Sequence, residues 1–403
     1  MKIVHIQQYY NDGMGYQENI LPRYQAKLGN EVVLITSNLS NGFNNENRIK
    51  SIGEYKDNNF TVKRIGIKGD FKNRFVLFKN LYKCLEEIKP DYIFHHSPTC
   101  PSLKTACDYK KNNKEVFLAV DNHIDLTNSG KKYIWKKLYY NFFWNKFIKK
   151  YDEFINVYFG LNANRCLFLK EELGVNPDKI RLLPIGTDTD NLKLDENREE
   201  FLNKYNIDSN KFILVHGGKI TKEKEVDKII DAFSMIKGNE ITFVIFGKIK
   251  DDSIVDKINK DKRIKYIGWL DRKETLKMLK YSDLGVWNTQ HTTLIEDAVA
   301  VGLPIIVRYY GCTNHLIDFS GVFLYSNSVR ELYEKIELLY QNSEYLKKLR
   351  VSAKKLSEKL SYNNIAYESI AYIKDMNPKN LHKSILNNIY IESRFKYFRK
   401  VDR

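Results

Sequence analysis

The stretch LVHGGKITKEKEVDKIIDAF, residues 214–233, decides the fold of the second half of the chain. The apolar run at 212–215 predicts a buried strand, and the spacing that follows predicts a helix over about 224–236. A glycine pair marks the turn between them, and Ile241–Phe246 (ITFVIF) predicts the next strand. A helix of this length between two strands is typical of the right-handed crossover that connects parallel strands. The pattern therefore indicates a parallel sheet.

The beginning of the chain repeats this pattern. An apolar run at 1–6 (MKIVHI) precedes a loop with Gly13 and Gly15, then a helical stretch, and then a strand at 32–35. Further strands of this half are predicted at 92–95 and 116–120. In such sheets the loops at the carboxyl ends of the strands form the edge that faces a ligand.

The length of 403 residues suits two α/β domains of about 150–200 residues each. The segment 182–209 contains proline, glycine and a charged run, which is typical of a linker. We therefore expect an N-terminal domain over 1–195 and a C-terminal domain over 196–364. A helix from about 365–403 is expected to pack back on the first domain.

Composition narrows the choice of partners. The net charge of +16 favours an anionic partner such as a phosphorylated substrate, an anionic lipid or nucleic acid. An AT-rich genome encodes many lysines and asparagines, and this codon bias would give the same charge without a binding surface. No run reaches the ~18 apolar residues of a spanning helix, and the first residues lack a secretory pattern, so a cytoplasmic protein is expected.

The glycine pair leads into a basic turn with Gly218, Lys219 and Lys224. Glycines let the backbone approach a phosphate closely, and helix N-terminal N–H groups attract an anion. The two ammonium groups would neutralise a diphosphate as it becomes a leaving group. The alternative is an ordinary glycine turn with solvated lysines.

A second segment, DLGVWNTQHTTLIEDAVAVGLPIIV at 283–307, places Glu296 at the start of a helix of small residues. A carboxylate there can accept hydrogen bonds from both hydroxyls of a ribose. Asp297 would face elsewhere on the helix and serve as a capping charge. The alternative for Glu296 is likewise a helix N-terminal charge.

The order of these segments resembles the donor-binding half of retaining GT-B glycosyltransferases, the large family-four group of capsule, O-antigen and lipopolysaccharide synthesis. The resemblance implies an α/β fold with two Rossmann-like domains facing across a cleft. It implies that Gly218, Lys219 and Lys224 hold the donor diphosphate, with Glu225 in place of a second glycine, and that Glu296 binds ribose. The turn IGWL, with Gly268, Trp269 and Leu270, is similar to the family's stretch whose backbone reads the nucleobase.

Other positions match this family less closely. Asn288 occupies the place of the first of two glutamates, which the family associates with the transferred sugar, and asparagine carries no charge there. The loop DGMGYQ, with Gly13 and Gly15, resembles the glycine loop beside the donor phosphates and acceptor. His123, in DNHID after the predicted strand, stands where the family often has a histidine near the reacting sugar. A structural histidine at a strand end is the alternative.

The function implied is transfer of a sugar from a nucleotide-sugar to a lipid-linked or saccharide acceptor, with retention and without a metal ion. His123, Lys224 and Asn288 are the expected catalytic residues. A catalytically silent protein that binds a sugar nucleotide or assists a partner transferase is an alternative, and a sugar-nucleotide epimerase is a weaker one. A metal site is not expected at 188–190 (DTD), which lies in the proposed linker and is expected to solvate a turn. None is expected at His95–His96 either, because no second pair stands at metal-ligand spacing.

The segment KKYIWKKLYYNFFWNKFIKK at 131–150 has seven lysines, many aromatic residues and no acidic residue. This composition suits a helix in the interface of an anionic membrane, so a peripheral position on the inner face of the cell membrane is predicted. The alternative is a helix that buries its aromatic side chains in the first domain. Aromatic residues among lysines can also bind nucleic acid. No recognised nucleic-acid-binding fold surrounds them, so nucleic acid is not an expected partner.

Overall fold

The computed structural model describes residues 1–40, 48–71, 74–125, 136–188, 197–288, 292–309, 313–317, 320–326 and 328–374. The chain divides into two compact units. The first unit contains Met1–Ile185 together with the chain from Tyr362 onward, and the second contains Gly186–Ser361. Residues 375–403 of the predicted tail helix lie outside the described part.

The elements alternate between strand and helix along most of the chain, as the sequence predicted. The strands are β1 Lys2–Gln7, β2 Glu31–Ser37, β3 Gly53–Asp57, β4 Phe60–Ile65, β5 Ile67–Asp70, β6 Val76–Phe78, β7 Tyr92–His96, β8 Phe117–Asn122, β9 Val157–Gly160, β10 Ile180–Leu182, β11 Phe212–Gly217, β12 Ile241–Phe246, β13 Ile264–Tyr266, β14 Leu284–Trp287, β15 Ile305–Arg308 and β16 Gly321–Leu324. The α-helices are α1 Gln17–Lys27, α2 Leu81–Ile88, α3 Ser102–Asn112, α4 Asn145–Tyr151, α5 Ala163–Glu171, α6 Arg198–Asn203, α7 Val226–Ser234, α8 Val255–Lys260, α9 Arg272–Tyr281, α10 Thr293–Ala300, α11 Val329–Gln341, α12 Ser343–Lys359 and α13 Tyr362–Lys374.

The sheet of the first unit runs in the order β10-β9-β8-β7-β1-β2-β4-β3 over the described residues. Its pairings are parallel except that of β3 with β4. Alternate residues enter opposite cores: Val4 and Ile6 of β1 belong to one apolar cluster, and Ile3 belongs to another. Both faces of the sheet are therefore covered, as parallel sheets require.

The helix α13 returns from the second unit and packs against α1 of the first. The rings of Tyr24 and Tyr362 stack with centroids 5.7 Å apart. The Tyr92 hydroxyl donates to the carbonyl of Ser369 at 2.7 Å. The unit boundary lies at Ile185 rather than near residue 195, because Thr187 already donates its backbone N–H to Leu360 of the second unit at 2.8 Å.

The sheet of the second unit runs in the order β13-β12-β11-β14-β15-β16, and its pairings over the described residues are parallel. Numbered within the unit, this is the order 3-2-1-4-5-6 of a Rossmann fold. Leu214 of β11 enters one apolar cluster, while Ile213 and Val215 enter the other. The strand order reverses between β11 and β14, and the crevice at such a switch point is where these sheets bind ligands.

Two predicted helices differ from the observed ones. The helix expected over 224–236 is α7, Val226–Ser234, preceded by a 3₁₀ turn at Lys222–Lys224. Glu225 joins them with a φ of 47°, so the chain turns sharply here. Within 131–150, a π-helical segment Lys136–Trp144 precedes α4, and residues 131–135 lie outside the described part.

A close contact between two turns holds the carboxyl edge of the second sheet together. Gly247 follows β12 with a φ of 120°, which favours glycine. A Cβ atom on Gly247 would lie 1.9 Å from the carbonyl oxygen of Gly218 in the turn after β11. The two turns therefore pack directly backbone against backbone.

We predict that Gly247→Ala lowers the free energy of unfolding by about 2–4 kcal/mol, because it adds overpacking to backbone strain. Gly238→Ala is the matched control, since Gly238 has a φ of 92° but open space around it. That control should cost about 1 kcal/mol. Urea unfolding of both variants measures the difference, and equal losses would contradict the contact.

Candidate functional site

The turns that follow β11, β12 and β13 lie side by side at the carboxyl edge of the second sheet. The N–H of Gly218 donates to the carbonyl of Phe246 at 3.1 Å, and the N–H of Gly247 donates to that of Gly268 at 2.7 Å. Gly218 and Gly268, predicted separately from the sequence, thus belong to one continuous surface. Gly247 is the link between them, and the sequence analysis missed it.

The basic residues of this edge come from two turns rather than one. Ile220 donates its N–H to Lys248 at 3.0 Å and accepts from the N–H of Lys250 at 2.9 Å. This pairing places Lys248 and Lys250 next to the turn that carries Lys219 and Lys224. The motif GKIK at 247–250 follows a strand just as GGK does, and this signal could have identified the second turn.

Lys224 lies close enough to the end of β11 to act on His216. The Nδ1–H of this buried histidine donates to the carbonyl of Val286 at 2.8 Å. Burial lowers the pKa of His216 to about 4; the hydrogen bond to Val286 opposes the shift, and the Lys224 ammonium adds to it. The ring is therefore neutral near pH 7, and positive charge at this edge resides on the lysines.

The N-terminus of α10 meets the same edge beside the basic turn. A Cβ atom on Gly218 would lie 3.4 Å from Cδ1 of Leu294 in the first turn of this helix. Glu296 is buried on α10. The helix dipole and the N–H groups of the first turn add attraction for an anion at this position.

Asp297 is not the capping charge that the sequence predicted. It is buried and forms an ion pair with Arg272 at the start of α9. Burial raises the pKa of the Asp297 carboxyl, and the Arg272 guanidinium opposes this shift. The pair fastens the helix that carries Glu296 to its neighbour, a contact that depends on tertiary packing.

We predict that Arg272→Ala destabilises the protein by about 1–3 kcal/mol at pH 8. Without arginine the folded-state pKa of Asp297 rises further above the ordinary value of about 4, so ionisation opposes folding. The loss should therefore be smaller at pH 5 than at pH 8. Arg330→Ala, which removes an exposed pair with Glu334, is the control and should change stability by less than about 0.5 kcal/mol at either pH. Urea unfolding at both pH values measures the loss, and a loss independent of pH would argue against the pair.

The remaining predicted donor residues also lie at this edge. Asn288 is fully buried directly after β14, next to Trp287, whose indole N–H donates to the carbonyl of Gly217 at 3.1 Å. Leu270 is buried, whereas Trp269 is 74% exposed. The structure thus brings Gly218, Gly268, Asn288 and Glu296 to the carboxyl edge of one sheet, and their roles stay predictions.

In the first unit, the glycine loop after β1 is anchored at one end. Arg64 donates to the carboxylate of Asp12 at 2.9 Å, and the hydroxyl of Tyr55 donates to the same carboxylate. Gly13 has a φ of 73°, and both Gly13 and Gly15 are exposed. The loop therefore offers its backbone to solvent at the carboxyl edge of the first sheet.

His123 belongs to a cluster that the sequence analysis missed. Its Nε2 lies 3.0 Å from Oδ2 of Asp121, and Nδ1 of His96 lies 2.9 Å from the same oxygen. The cluster forms because β7 and β8 are neighbours in which His96 pairs with Asp121. Polar residues at the ends of two predicted strands were the available signal.

The charges in this cluster are strongly coupled. Burial alone would raise the pKa of Asp121, but His96 and His123 outweigh it and hold that pKa well below its usual range. Burial alone would lower the pKa of His96, but Asp121 outweighs it and raises that pKa. The nitrogen and oxygen atoms of His96, Asp121 and His123 lie within 4.8 Å of one another, a spacing from which a cation site could be built.

Sequence comparison connects the second unit to a known family. Residues 197–356 match the glycosyl transferases group 1, and this range spans the whole switch-point edge described above. Alpha-monoglucosyldiacylglycerol synthase of Acholeplasma laidlawii is 28% identical over 166 residues, which are 37% of this chain and 40% of that relative. The matched region is thus less than half of the curated relative's length.

Solved structures have a similar fold over most of the chain. A glycosyltransferase from Rickettsia africae has a TM-score of 0.65 at 15% identity and covers 94% of this chain and 99% of its own. Anabaena HepE in complex with UDP has a TM-score of 0.67 at 13% identity, with 93% and 100% covered. These likenesses confirm the predicted α/β fold of the GT-B type, with its two Rossmann-like units.

Proposed function

We propose that the chain is a glycosyltransferase that moves a sugar from a nucleotide-sugar donor to a lipid-linked or saccharide acceptor. The observation that carries this proposal is the convergence of Gly218, Gly268 and the N-terminus of α10 at the carboxyl edge of the second sheet. This edge lies in the segment that matches the glycosyl transferases group 1.

The donor diphosphate would bind against the turn of Gly218 and Lys219. The N–H groups of the first turn of α10 offer donors, and Lys219 and Lys224 offer charge that stabilises the departing diphosphate. Cations and helix dipole at one edge support donor binding without a metal ion. The buried carboxylate of Glu296 would accept hydrogen bonds from the ribose hydroxyls.

The relatives support parts of this proposal. Anabaena HepE is bound to UDP in its structure, which supports a nucleotide-sugar donor and makes UDP-sugars the first to test. The relative from Acholeplasma laidlawii is named for a glucosylated diacylglycerol, which supports a lipid acceptor. Retention of configuration and a role in bacterial surface polysaccharide synthesis rest on the resemblance to the family-four group.

We predict that one of UDP-, GDP- or ADP-glucose raises the melting temperature of the full chain. At a hundredfold excess over Kd the stabilisation is ~2.7 kcal/mol, or roughly 5–10 °C for a domain of this size. Lys224→Ala and Glu296→Ala should abolish most of this shift, and EDTA should leave it unchanged. Lys237→Ala is the matched control, because Lys237 is an exposed lysine between α7 and the start of β12, at the opposite edge.

Turnover separates transfer from the alternatives. A glycosyltransferase releases the nucleoside diphosphate faster when an acceptor is present, and Lys224→Ala should slow that release. Binding of a sugar nucleotide without turnover on any lipid or saccharide acceptor would favour a silent binding protein. Conversion of the sugar nucleotide without an acceptor would favour an epimerase. The donor site would be refuted if none of the nucleotide-sugars raised the melting temperature.

A membrane position is the second part of the proposal, and it rests on the segment 136–151. Tyr140, Trp144 and Ile148 pack into the core of the first unit, as the alternative predicted. On the other side Leu138, Phe142 and Phe143 are 56–61% exposed. Exposed apolar side chains of this size are typical of a surface that contacts a membrane or a partner.

Lysines surround these exposed side chains. Lys137, Lys146, Lys149 and Lys150 are exposed, and Nζ of Lys146 lies 4.1 Å from the ring centre of Phe142. Basic residues beside an anionic bilayer contribute about 1 kcal/mol each. No helix in the described part of the chain combines the length and apolar character needed to cross a membrane. The segment 136–151 therefore supports peripheral binding to the inner face of the cell membrane.

We predict that the chain sediments with phosphatidylglycerol vesicles, and that 0.5 M salt weakens this binding. Phe142→Ser with Phe143→Ser should lower the affinity about tenfold or more, because two apolar side chains no longer enter the interface. Leu338→Ser with Val351→Ser is the control, since both residues are exposed in the second unit. Binding to oligonucleotides but not to vesicles would contradict the membrane position and indicate nucleic acid as the partner.

A further inference from the structure

Buried polar side chains connect His123 to the interior of the first unit. Its Nε2 lies 3.0 Å from Oδ2 of Asp121, and that oxygen lies 2.9 Å from Nδ1 of His96. Nε2 of His96 lies 3.0 Å from Nδ1 of His5, and Nε2 of His5 lies 2.6 Å from Oε1 of Gln25. Asp121, His96, His5 and Gln25 are all buried, and we call them the histidine relay.

The far end of the histidine relay fixes the direction of its hydrogen bonds. The hydroxyl of Ser369 on α13 donates to the carbonyl of Ala366 at 2.7 Å. Its oxygen therefore accepts from Nε2 of Gln25 at 2.9 Å. Gln25 must then turn its carbonyl oxygen toward His5, so His5 carries its hydrogen on Nε2.

The position of the hydrogen on His5 in turn determines the protonation of His96. Burial lowers the pKa of His5 to about 3, with His96 adding to the shift, so His5 is neutral and its Nδ1 accepts. Nε2 of His96 must carry the hydrogen of that bond, and Nδ1 of His96 must carry another because a carboxylate only accepts. His96 is therefore a buried imidazolium beside Asp121.

The charges around His96 suit this state. Asp121 on β8 carries the opposite charge and also accepts from the N–H of Ser97 at 3.2 Å. Glu18 at the start of α1 adds negative potential at His96. The neutral His5 packs its ring against that of His96 with centroids 5.3 Å apart. A buried ion pair is tolerated when hydrogen bonds satisfy it in this way.

We propose that Asp121, His96 and His5 are positioning residues for His123, which hold its ring in one orientation and in the tautomer with hydrogen on Nε2. This inference rests on the function proposed above and on the family resemblance, which implies that His123 lies near the reacting sugar. Asp121 accepts from both histidines, so the imidazolium of His96 fixes the carboxylate that in turn fixes His123. A ring held in this way needs no reorientation when the sugar binds.

The first test observes the tautomers in the wild-type full chain. Long-range ¹H–¹⁵N spectra of ¹⁵N-histidine protein at pH 7.5 distinguish the imidazolium from both neutral tautomers, and single His→Gln variants assign the signals. We expect His96 as an imidazolium, His5 as a neutral ring and His123 with hydrogen on Nε2. A neutral His96, or His123 with hydrogen on Nδ1, would overturn the proposal whether or not the chain is a transferase.

The second test measures the consequence for catalysis with UDP-glucose as the donor. His96→Gln should lower kcat about 10- to 100-fold while KM for UDP-glucose changes less than about twofold. His95→Gln is the matched control, because His95 is an equally buried neighbour on the same strand whose partners are Ser102 and Ser97. It should leave kcat unchanged, and melting temperatures of both variants separate misfolding from misplacement.

Equal kcat values for the His96 and His95 variants would contradict the positioning role. A kcat that is lost in EDTA and restored by Zn²⁺ or Mn²⁺ would also overturn it, and would assign His96, Asp121 and His123 to a cation instead. If UDP-glucose and the other nucleotide-sugars are not turned over at all, the proposed function fails, and the tautomer spectra alone decide the relay.

Discussion

The backbone contact between Gly218 and Gly247 is the constraint on which the candidate donor site depends. A side chain at Gly247 would overlap the Gly218 carbonyl, so the turns after β11 and β12 can lie together only without one. The hydrogen bond from Gly247 to Gly268 then adds the turn after β13 to the same surface. The pairing of Ile220 with Lys248 and Lys250 likewise brings basic residues from separate parts of the sequence onto neighbouring turns, which concentrates positive charge at this edge.

Most of the fold could be predicted from the sequence, because strand, glycine turn and helix alternate with clear periodicity. The strand Ile241–Phe246 has the predicted limits, and the two-unit α/β architecture is the predicted one. Local signals also located Gly218 and Glu296 at strand and helix ends. The parallel order of the strands then places such ends on a single edge, since each crossover returns the chain to the same side.

Contacts between distant segments were not predictable in this way. The pairing of Arg272 with Asp297 depends on how α9 packs against α10, and periodicity carries no information about it. The histidine relay depends on β1 and β8 both flanking β7, an order that the sequence pattern leaves open. In the segment 136–151, composition indicated both burial and exposure of aromatic residues, and the helix does both on opposite sides.

A crystal structure of the full chain with UDP would show where the second unit binds a nucleotide. We expect the diphosphate against the turn of Gly218 and Lys219, with the carboxylate of Glu296 about 2.6–3.2 Å from the ribose hydroxyls. It also predicts the uracil beside the backbone of Gly268. UDP bound away from the carboxyl edge of the second sheet, or with its ribose far from Glu296, would contradict the account.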